Sequence, residues 1–389
     1  MSFTIAFTGD ICFHDQPEAD FEYSKKILAD VMPVFESADL VAMNLENPLA
    51  PEGMGEPIPK AGPNLIGGEQ TIGFLLAAGC GFADLANNHT GDFGAEPLYN
   101  TLRLLDENGI GYAGAGKNLD EAYKAFRITK NGISLSIVCV CENEFGVAEA
   151  DKPGTAGFEI GRLTERLVEE REISDFVVVM IHGGNEHNPL PSPMARSRYR
   201  LFTELGADAV IGGHPHCPQG IEYYKGKPIV YSTGNFLFKD FGEVDAAWTL
   251  GYIAKLTLNK GESPKVEAIP YRFESDGSAI NLLKGEEYEI FMRHLDKISA
   301  IIPDDRALHD YFDGWCWLHR DFLLQATPGK EMLEFDGHYH NAYLVYNRLI
   351  CEAHLEICRR LTYIAFYPGL RERAASFVEK IKKLADIGL

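Results

Sequence analysis

Between Phe3 and Ile211 the chain alternates two textures: short unbroken apolar runs rich in β-branched residues, and longer stretches whose apolar positions recur every three or four residues. The runs Phe3–Thr8, Val41–Leu45, Phe82–Ala86, Ser134–Val140, Phe176–Ile181 and Ala209–Ile211 predict strands buried on both faces. The periodic stretches Tyr23–Phe35, Gln70–Ala78, Ala95–Asn108, Leu163–Arg171 and Arg196–Leu205 predict helices, with Gly79, Gly109 and Gly206 where C-caps belong. Such alternation predicts an α/β layered architecture.

After Gly220 the pattern turns to hairpins. Ile221–Tyr224, Pro228–Ser232, Tyr252–Leu258 and Lys265–Pro270 read as strands, with turns at Lys225-Gly226 and Lys260-Gly261. The segment Gly53–Gly68, rich in Gly and Pro and without period, reads as a loop that overhangs the site. Beyond Glu274 only helical patterns remain: Glu286–Ile301, Asp305–Leu324, Ala342–Leu361 and Arg371–Leu384. The break at Ser275-Asp276-Gly277 divides the chain into a domain over 1–274 and a helical C-terminal region over 275–389, read as a lid or an oligomerisation element. Trp315 and Trp317 in that region are expected in a core or on a dimer face.

With 389 residues, 46% of them hydrophobic, the chain can bury one large core and support an appendage. Its net charge of -21 argues against nucleic acid or an anionic membrane surface as the main partner. An anionic small-molecule or peptide-like substrate would then need metal ions or a local basic patch. Arg196, Arg198 and Arg200 supply local positive charge of that kind, or else line the solvated face of a helix. The N-terminal residues before Asp10 hold neither a basic leader nor a long apolar stretch, so the expectation is a cytoplasmic protein without a membrane anchor. Eight widely spaced cysteines with no CxxC pair predict reduced thiols.

The chemistry collects where the strands end. Asp10 follows the first strand; Asn44 and Glu46 close the second, on one side of the pleat; Asn87, Asn88, His89 and Asp92 follow the third. His182 closes the run from Phe176, and His214 and His216 follow Ala209–Gly213. Carboxylates, amides and imidazoles delivered by separate strands to one sheet edge are the donors of a two-metal hydrolytic site. His89 is left to act as acid or electrostatic stabiliser, with Asp92 expected to orient its ring and raise its pKa. In an extended segment His214 and His216 would face the same way and reach one cluster.

Asn44-Leu45-Glu46, Ala86-Asn87-Asn88-His89 with Asp92 and Gly94, His182-Gly183-Gly184 with Glu186, Gly206-Ala207-Asp208, Gly212–Gln219 and Tyr231-Ser232-Thr233-Gly234-Asn235-Phe236, in this order, resemble the calcineurin-like metallophosphoesterase superfamily. Within it the chain is similar to the CapA-like branch, associated with poly-γ-glutamate capsule synthesis, over roughly residues 3–270. The resemblance implies a four-layer α/β/β/α sandwich with a dinuclear centre of divalent ions such as zinc, manganese or iron. It implies that Asp10 and His216 hold one metal, that Glu46 bridges, and that Asn88, His182 and His214 hold the other. His89 would be the proton donor or oxyanion stabiliser. The position where the superfamily usually has a further His is Cys12, with His14 nearby, so a thiolate ligand is one expectation. Glu186 is expected as a substrate contact or a support for the ligands, and Asn235 as a residue orienting His214 or substrate.

Three functions follow in order of preference: metal-assisted hydrolysis of a phosphoester or amide-like bond, metal-assisted peptide epimerisation or transamidation, and a non-catalytic role in capsule polymer assembly. The last predicts little turnover and a stable complex through the helical tail, and a homo-oligomer through the C-terminal helices is a separate expectation.

Overall fold

Strand β1 (Ser2–Cys12) occupies the middle of the larger sheet and changes partner along its length. Its first half pairs antiparallel with β14 (Leu250–Asn259); from Asp10 onward it pairs in parallel with β13 (Asn235–Phe238). Gly9 permits the switch, because a Cβ there would stand 1.8 Å from the Gly234 carbonyl oxygen. The computed structural model describes residues 2–14, 20–239, 246–324 and 340–389.

From β1 the chain winds through α1 (Phe21–Ile27), α2 (Met32–Glu36), β2 (Leu40–Leu45), α3 (Ile72–Ala77), β3 (Cys80–Asp84), α4 (Ala95–Glu107) and β4 (Gly111–Ala113). This lays β1 to β4 side by side and parallel. The predicted helix Tyr23–Phe35 is in fact two, since Pro33 can open a helix but not continue one. After β5 (Ala115–Gly116) and α5 (Leu119–Ala122), a second sheet forms from β6 (Phe126–Lys130), β7 (Ile133–Cys141), β9 (Phe176–His182), β10 (Ala209–Gly213), β11 (Ile221–Tyr224) and β12 (Lys227–Val230). The short β8 (Gly154–Thr155) pairs with β5, and α6 (Ile160–Ile173) and α7 (Pro193–Leu205) lead into β9 and β10. The chain then returns to the first sheet through β13, β14, β15 (Lys265–Phe273) and β16 (Ile280–Leu282). The last of these lies beyond the Ser275-Asp276-Gly277 turn and still pairs with β15.

The alternation of side chains sorts the layers. Phe3, Ile5 and Phe7 of β1 share one apolar cluster with Ile137, Val179 and Val210 of the second sheet. Ala6, Val41 and Met43 face the other way, onto Ile27, Phe74 and Leu98 of the helices. On the far side of the second sheet, α6 and α7 contribute Leu163, Leu167 and Phe202. The result is a four-layer α/β/β/α sandwich whose central strands are buried on both faces, which is why they read as unbroken apolar runs.

Among the described residues five further α-helices follow: α8 (Gly285–Ile301), α9 (Asp305–Leu318), α10 (His340–Ile350), α11 (Glu352–Phe366) and α12 (Pro368–Ala385). The single pattern Ala342–Leu361 breaks at Cys351, whose extended backbone separates α10 from α11. These helices dock through polar contacts as well as apolar ones: Asn143 donates from its backbone and its side chain to Glu352, and Ser192 and the Met194 N–H donate to Glu356. Trp315 is buried in the shared core, and Trp317 packs against it. Among the described residues no helix is long and apolar enough to cross a membrane.

Candidate metal centre

The two sheets bring their strand ends together at Asp10. Its Oδ2 accepts the His214 backbone N–H at 3.0 Å, and its Oδ1 accepts the Asn44 amide at 2.7 Å. Asn44 Nδ2 also lies 3.2 Å from His182 Nδ1, so one amide on β2 fixes a carboxylate of the first sheet and an imidazole of the second. Gly213 keeps the space open, because a Cβ there would sit 2.8 Å from Asp10 Oδ1.

Around this seam three groups of side chains converge closely enough to share a cation: Glu46 with His182 and His214, Asp10 with Glu46 and His216, and Glu186 with His214 and His216. Glu46 belongs to two of them, with Oε1 3.5 Å from His182 Nε2 and 3.8 Å from His216 Nε2. Asn88 adds an amide oxygen 3.1 Å from His182 Nε2. Asp10, Glu46, Asn88, His182, His214 and His216 are therefore brought together, while Glu186 stands exposed at the mouth, 4.0 Å from His214 Nε2.

The convergence of His214 and His216 does not come from a strand's pleat. Strand β10 ends at Gly213, and the two residues adopt left-handed backbone angles, φ 92° and 54°. Side-chain-bearing residues rarely pay that conformational cost without a local purpose. Here it turns both rings back into the seam.

Glu46 is wholly buried, and neither carboxylate oxygen has a hydrogen-bond partner. Burial pushes its pKa well above the usual carboxylate range, and the charge of Asp10 adds to the push. An ionised carboxylate left so would cost on the order of several kcal/mol, which a cation held between its neighbours would offset. The imidazoles suit the same guest. Burial holds His182 at about 4 and His214 at about 3, so both present neutral lone pairs. For His216 burial works downward, but Glu46 and Asp10 outweigh it and lift the ring above its ordinary value. The Asn235 amide oxygen accepts from His216 Nδ1 at 2.9 Å, so it orients His216 and not His214. Mixed nitrogen and oxygen donors of this kind fit a divalent transition ion.

His89 occupies a different position. Its ring Nδ1 meets Asp92 Oδ2 at 2.7 Å, as the sequence suggests, but its pKa falls to about 4 where a rise was expected. Burial is the larger cause; the second is Lys60, an ammonium from the Gly53–Gly68 loop that lies 3.3 Å from the same nitrogen. All the described hydrogen bonds of the ring are at Nδ1. Sequence reading missed Lys60, whose only signal was its place in a loop expected to overhang the site.

Other expectations are corrected. Cys12 joins none of the ligand groups; it packs in the apolar layer under α1 and α3, and burial pushes its thiol far from the thiolate form. His14 turns to the loop instead, accepting the Ile66 backbone N–H at 3.1 Å. The three arginines do not share one solvated face, and each is engaged within the protein. Arg196 binds the Ile302 carbonyl and Asp305, Arg198 pairs with buried Glu142, and Arg200 pairs with Glu222.

The family described as "Bacterial capsule synthesis protein PGA_cap" matches residues 4–240, more than half of the chain. The "Capsule biosynthesis protein CapA" of Bacillus anthracis is 28% identical over 256 residues, which are 63% of this chain and 61% of that one. The "PGA biosynthesis protein CapA" of Bacillus subtilis is 29% identical over 273 residues, 68% of this chain and 70% of the relative. A phosphatase structure from Mycoplasma pneumoniae aligns over 72% of this chain and 96% of its own with 15% identity and a TM-score of 0.44.

Proposed function

Since the chain belongs to the bacterial capsule synthesis family PGA_cap, and since Glu46 is shared by two groups of metal-ligand residues, we propose that it is a metal-dependent hydrolase with a dinuclear centre. Asp10, Glu46 and His216 would hold one divalent ion, and Glu46, His182, His214 and Asn88 the other. Two such ions would polarise the scissile group and acidify a water. The observation that carries this reading is the Glu46 carboxylate, buried with both oxygens unpartnered at the point where the groups meet.

The remaining work falls to His89 and its supports. Asp92 accepts a hydrogen bond from the Nδ1–H and fixes the ring, and burial together with Lys60 keeps the imidazole neutral, which leaves Nε2 as the atom that moves protons. It accepts one from the attacking water and returns it to the leaving oxygen or nitrogen. The scissile bond is a phosphoester or an amide-like bond, and the names of the relatives support a substrate from poly-γ-glutamate or capsule metabolism. Replacing His214 or His216 with alanine is expected to remove bound metal and hydrolysis together; full activity in either variant overturns the proposal.

A second reading, a component of capsule polymer assembly without turnover, is favoured by those same names, which record biosynthesis and no reaction. Metal bound with no hydrolysis across phosphoesters and γ-glutamyl peptides would select it. The epimerase or transamidase reading keeps its motive, since Cys12 packed in the apolar layer supplies no donor to the first metal.

A further inference from the structure

The turn over 213–216 carries two of the converging imidazoles in left-handed backbone, and the loop packed on it, over 183–192, has a third left-handed residue in His187, φ 58°. Side-chain-bearing residues keep such conformations only where their surroundings over-determine them. Here the loop supplies the restraint. The Gly183 N–H donates to the Gly213 carbonyl at 3.1 Å, and the His187 N–H donates at 2.9 Å to the carbonyl of Pro215, between the two histidines. Beyond the turn, the Gln219 amide donates to the Asn188 carbonyl at 2.8 Å.

The loop is itself held at both ends. At its start the Glu142 N–H donates to the His182 carbonyl at 3.0 Å, and Glu142 Oε2 accepts the Gly184 N–H at 3.2 Å. At its finish Ser192 caps the N-terminus of α7. Helix α11 reaches both places. Cys351, its N-cap, donates to Glu142 Oε2 at 3.7 Å. Glu352 accepts the Asn143 backbone N–H at 3.0 Å and the Asn143 amide at 2.7 Å. Glu356, four residues on and so on the same helix face, accepts the Ser192 hydroxyl and the Met194 N–H, the latter at 3.1 Å. Each carboxylate takes two donors, and bonds to an ionised acceptor are the stronger kind. Helix α11 lies outside the family match, which covers residues 4–240.

We propose that Glu352 and Glu356 are positioning residues of the metal centre: they pin the loop over 183–192, the loop pins the strained turn, and docking of α11 and binding of the cation favour each other. This rests on the metal-centre reading and adds a control to it. Neither carboxylate belongs to the converging ligand groups. The effect runs both ways, because a cation that gathers His182, His214 and His216 stabilises the loop conformation to which α11 docks, and release of α11 loosens the same ligands.

The test uses the full chain with manganese as the probe, read by hydrogen exchange of the α11 amides and by competition with a chromogenic chelator. In the parent, manganese is expected to slow α11 exchange about tenfold over the chelated protein, beyond any slowing of the α6 amides. Glu356→Ala is expected to weaken manganese about tenfold, as loss of a support behind the ligands does. Glu356→Gln, which keeps an oxygen for the Met194 N–H, is expected to recover most of that affinity. A carboxylate serving stability alone would move the unfolding temperature and leave the metal untouched. Should Glu356→Ala fail to fold, Glu352→Ala is expected to act in the same way, and the exchange of the parent needs no variant. Manganese bound by the parent without slower α11 exchange, or with unchanged affinity in a folded Glu356→Ala, overturns the coupling and leaves the metal centre standing. No manganese binding by the parent removes both.

Discussion

Lys60 sets its ammonium 2.5 Å from Oδ1 of Asp92, and both side chains are sealed from solvent. The other carboxylate oxygen takes the Leu65 N–H and His89 Nδ1, each at 2.7 Å. A carboxylate beside an imidazole ordinarily favours the charged ring; the ammonium opposes it and, with burial, leaves the ring neutral. Burial and the loop's ammonium together set the protonation state of the residue proposed to move protons.

Replacing Lys60 with methionine removes the positive charge and leaves Asp92 unopposed. The His89 pKa is expected to rise from about 4 toward the ordinary histidine value, followed through its ring-proton resonance in an NMR titration. The same variant strands a buried carboxylate, so a loss of about 3 kcal/mol or more in stability should accompany the shift. An unmoved pKa would show that Lys60 does not control the ring.

Glu46→Gln separates the demands of the fold from those of the metal. Without metal, Glu46 keeps its proton in the folded chain well above 4.5, whereas the unfolded chain loses it near that value. The folded state then holds the extra proton, so this residue's contribution to stability falls as pH rises above about 4.5, at a limiting slope of about 1.4 kcal/mol per pH unit. Glutamine removes the effect. In the presence of a chelator the variant should gain stability over the parent, and the gain should widen from pH 5 to pH 8 in calorimetry; a pH-independent difference would contradict it.

Asn44 binds no ion in this account, yet it holds Asp10 and His182 at once. Asn44→Leu is expected to lower metal affinity about 10- to 100-fold, as loss of supporting hydrogen bonds does elsewhere. Competition with a chromogenic chelator measures it, and unchanged affinity would assign the orientation of the two ligands to packing alone.

Gly213→Ala tests the seam by size alone. The added methyl would stand 2.8 Å from Asp10 Oδ1, so that carboxylate must move, while His182 Nδ1 at 3.6 Å remains in ordinary contact. Weaker metal binding with little change in unfolding temperature is expected, and parent-like binding would mean that the seam yields freely.

The residues that meet at the seam were legible because each lies at or just beyond the end of a buried strand, which the apolar runs locate. What period could not show was backbone conformation: His214 and His216 meet through left-handed angles that no alternation of apolar and polar residues encodes. Lys60 was illegible because a loop without period offers no face to assign. The arginines did carry an unread signal. At helical spacing Arg198 lies opposite Arg196 and Arg200, so one solvated face could not hold all three, and each found its own acid. Asn235 could not be allotted between two histidines two residues apart until the turn at His214 was known.

The central claim is that residues from Asp10 to His216 serve a shared pair of cations with Glu46 between them. Crystals grown with manganese and measured at the metal absorption edge test it most directly. Two anomalous peaks should flank the Glu46 carboxylate, one beside Asp10 and His216 and the other beside His182 and His214. A map with no peak within reach of Glu46 would contradict the account.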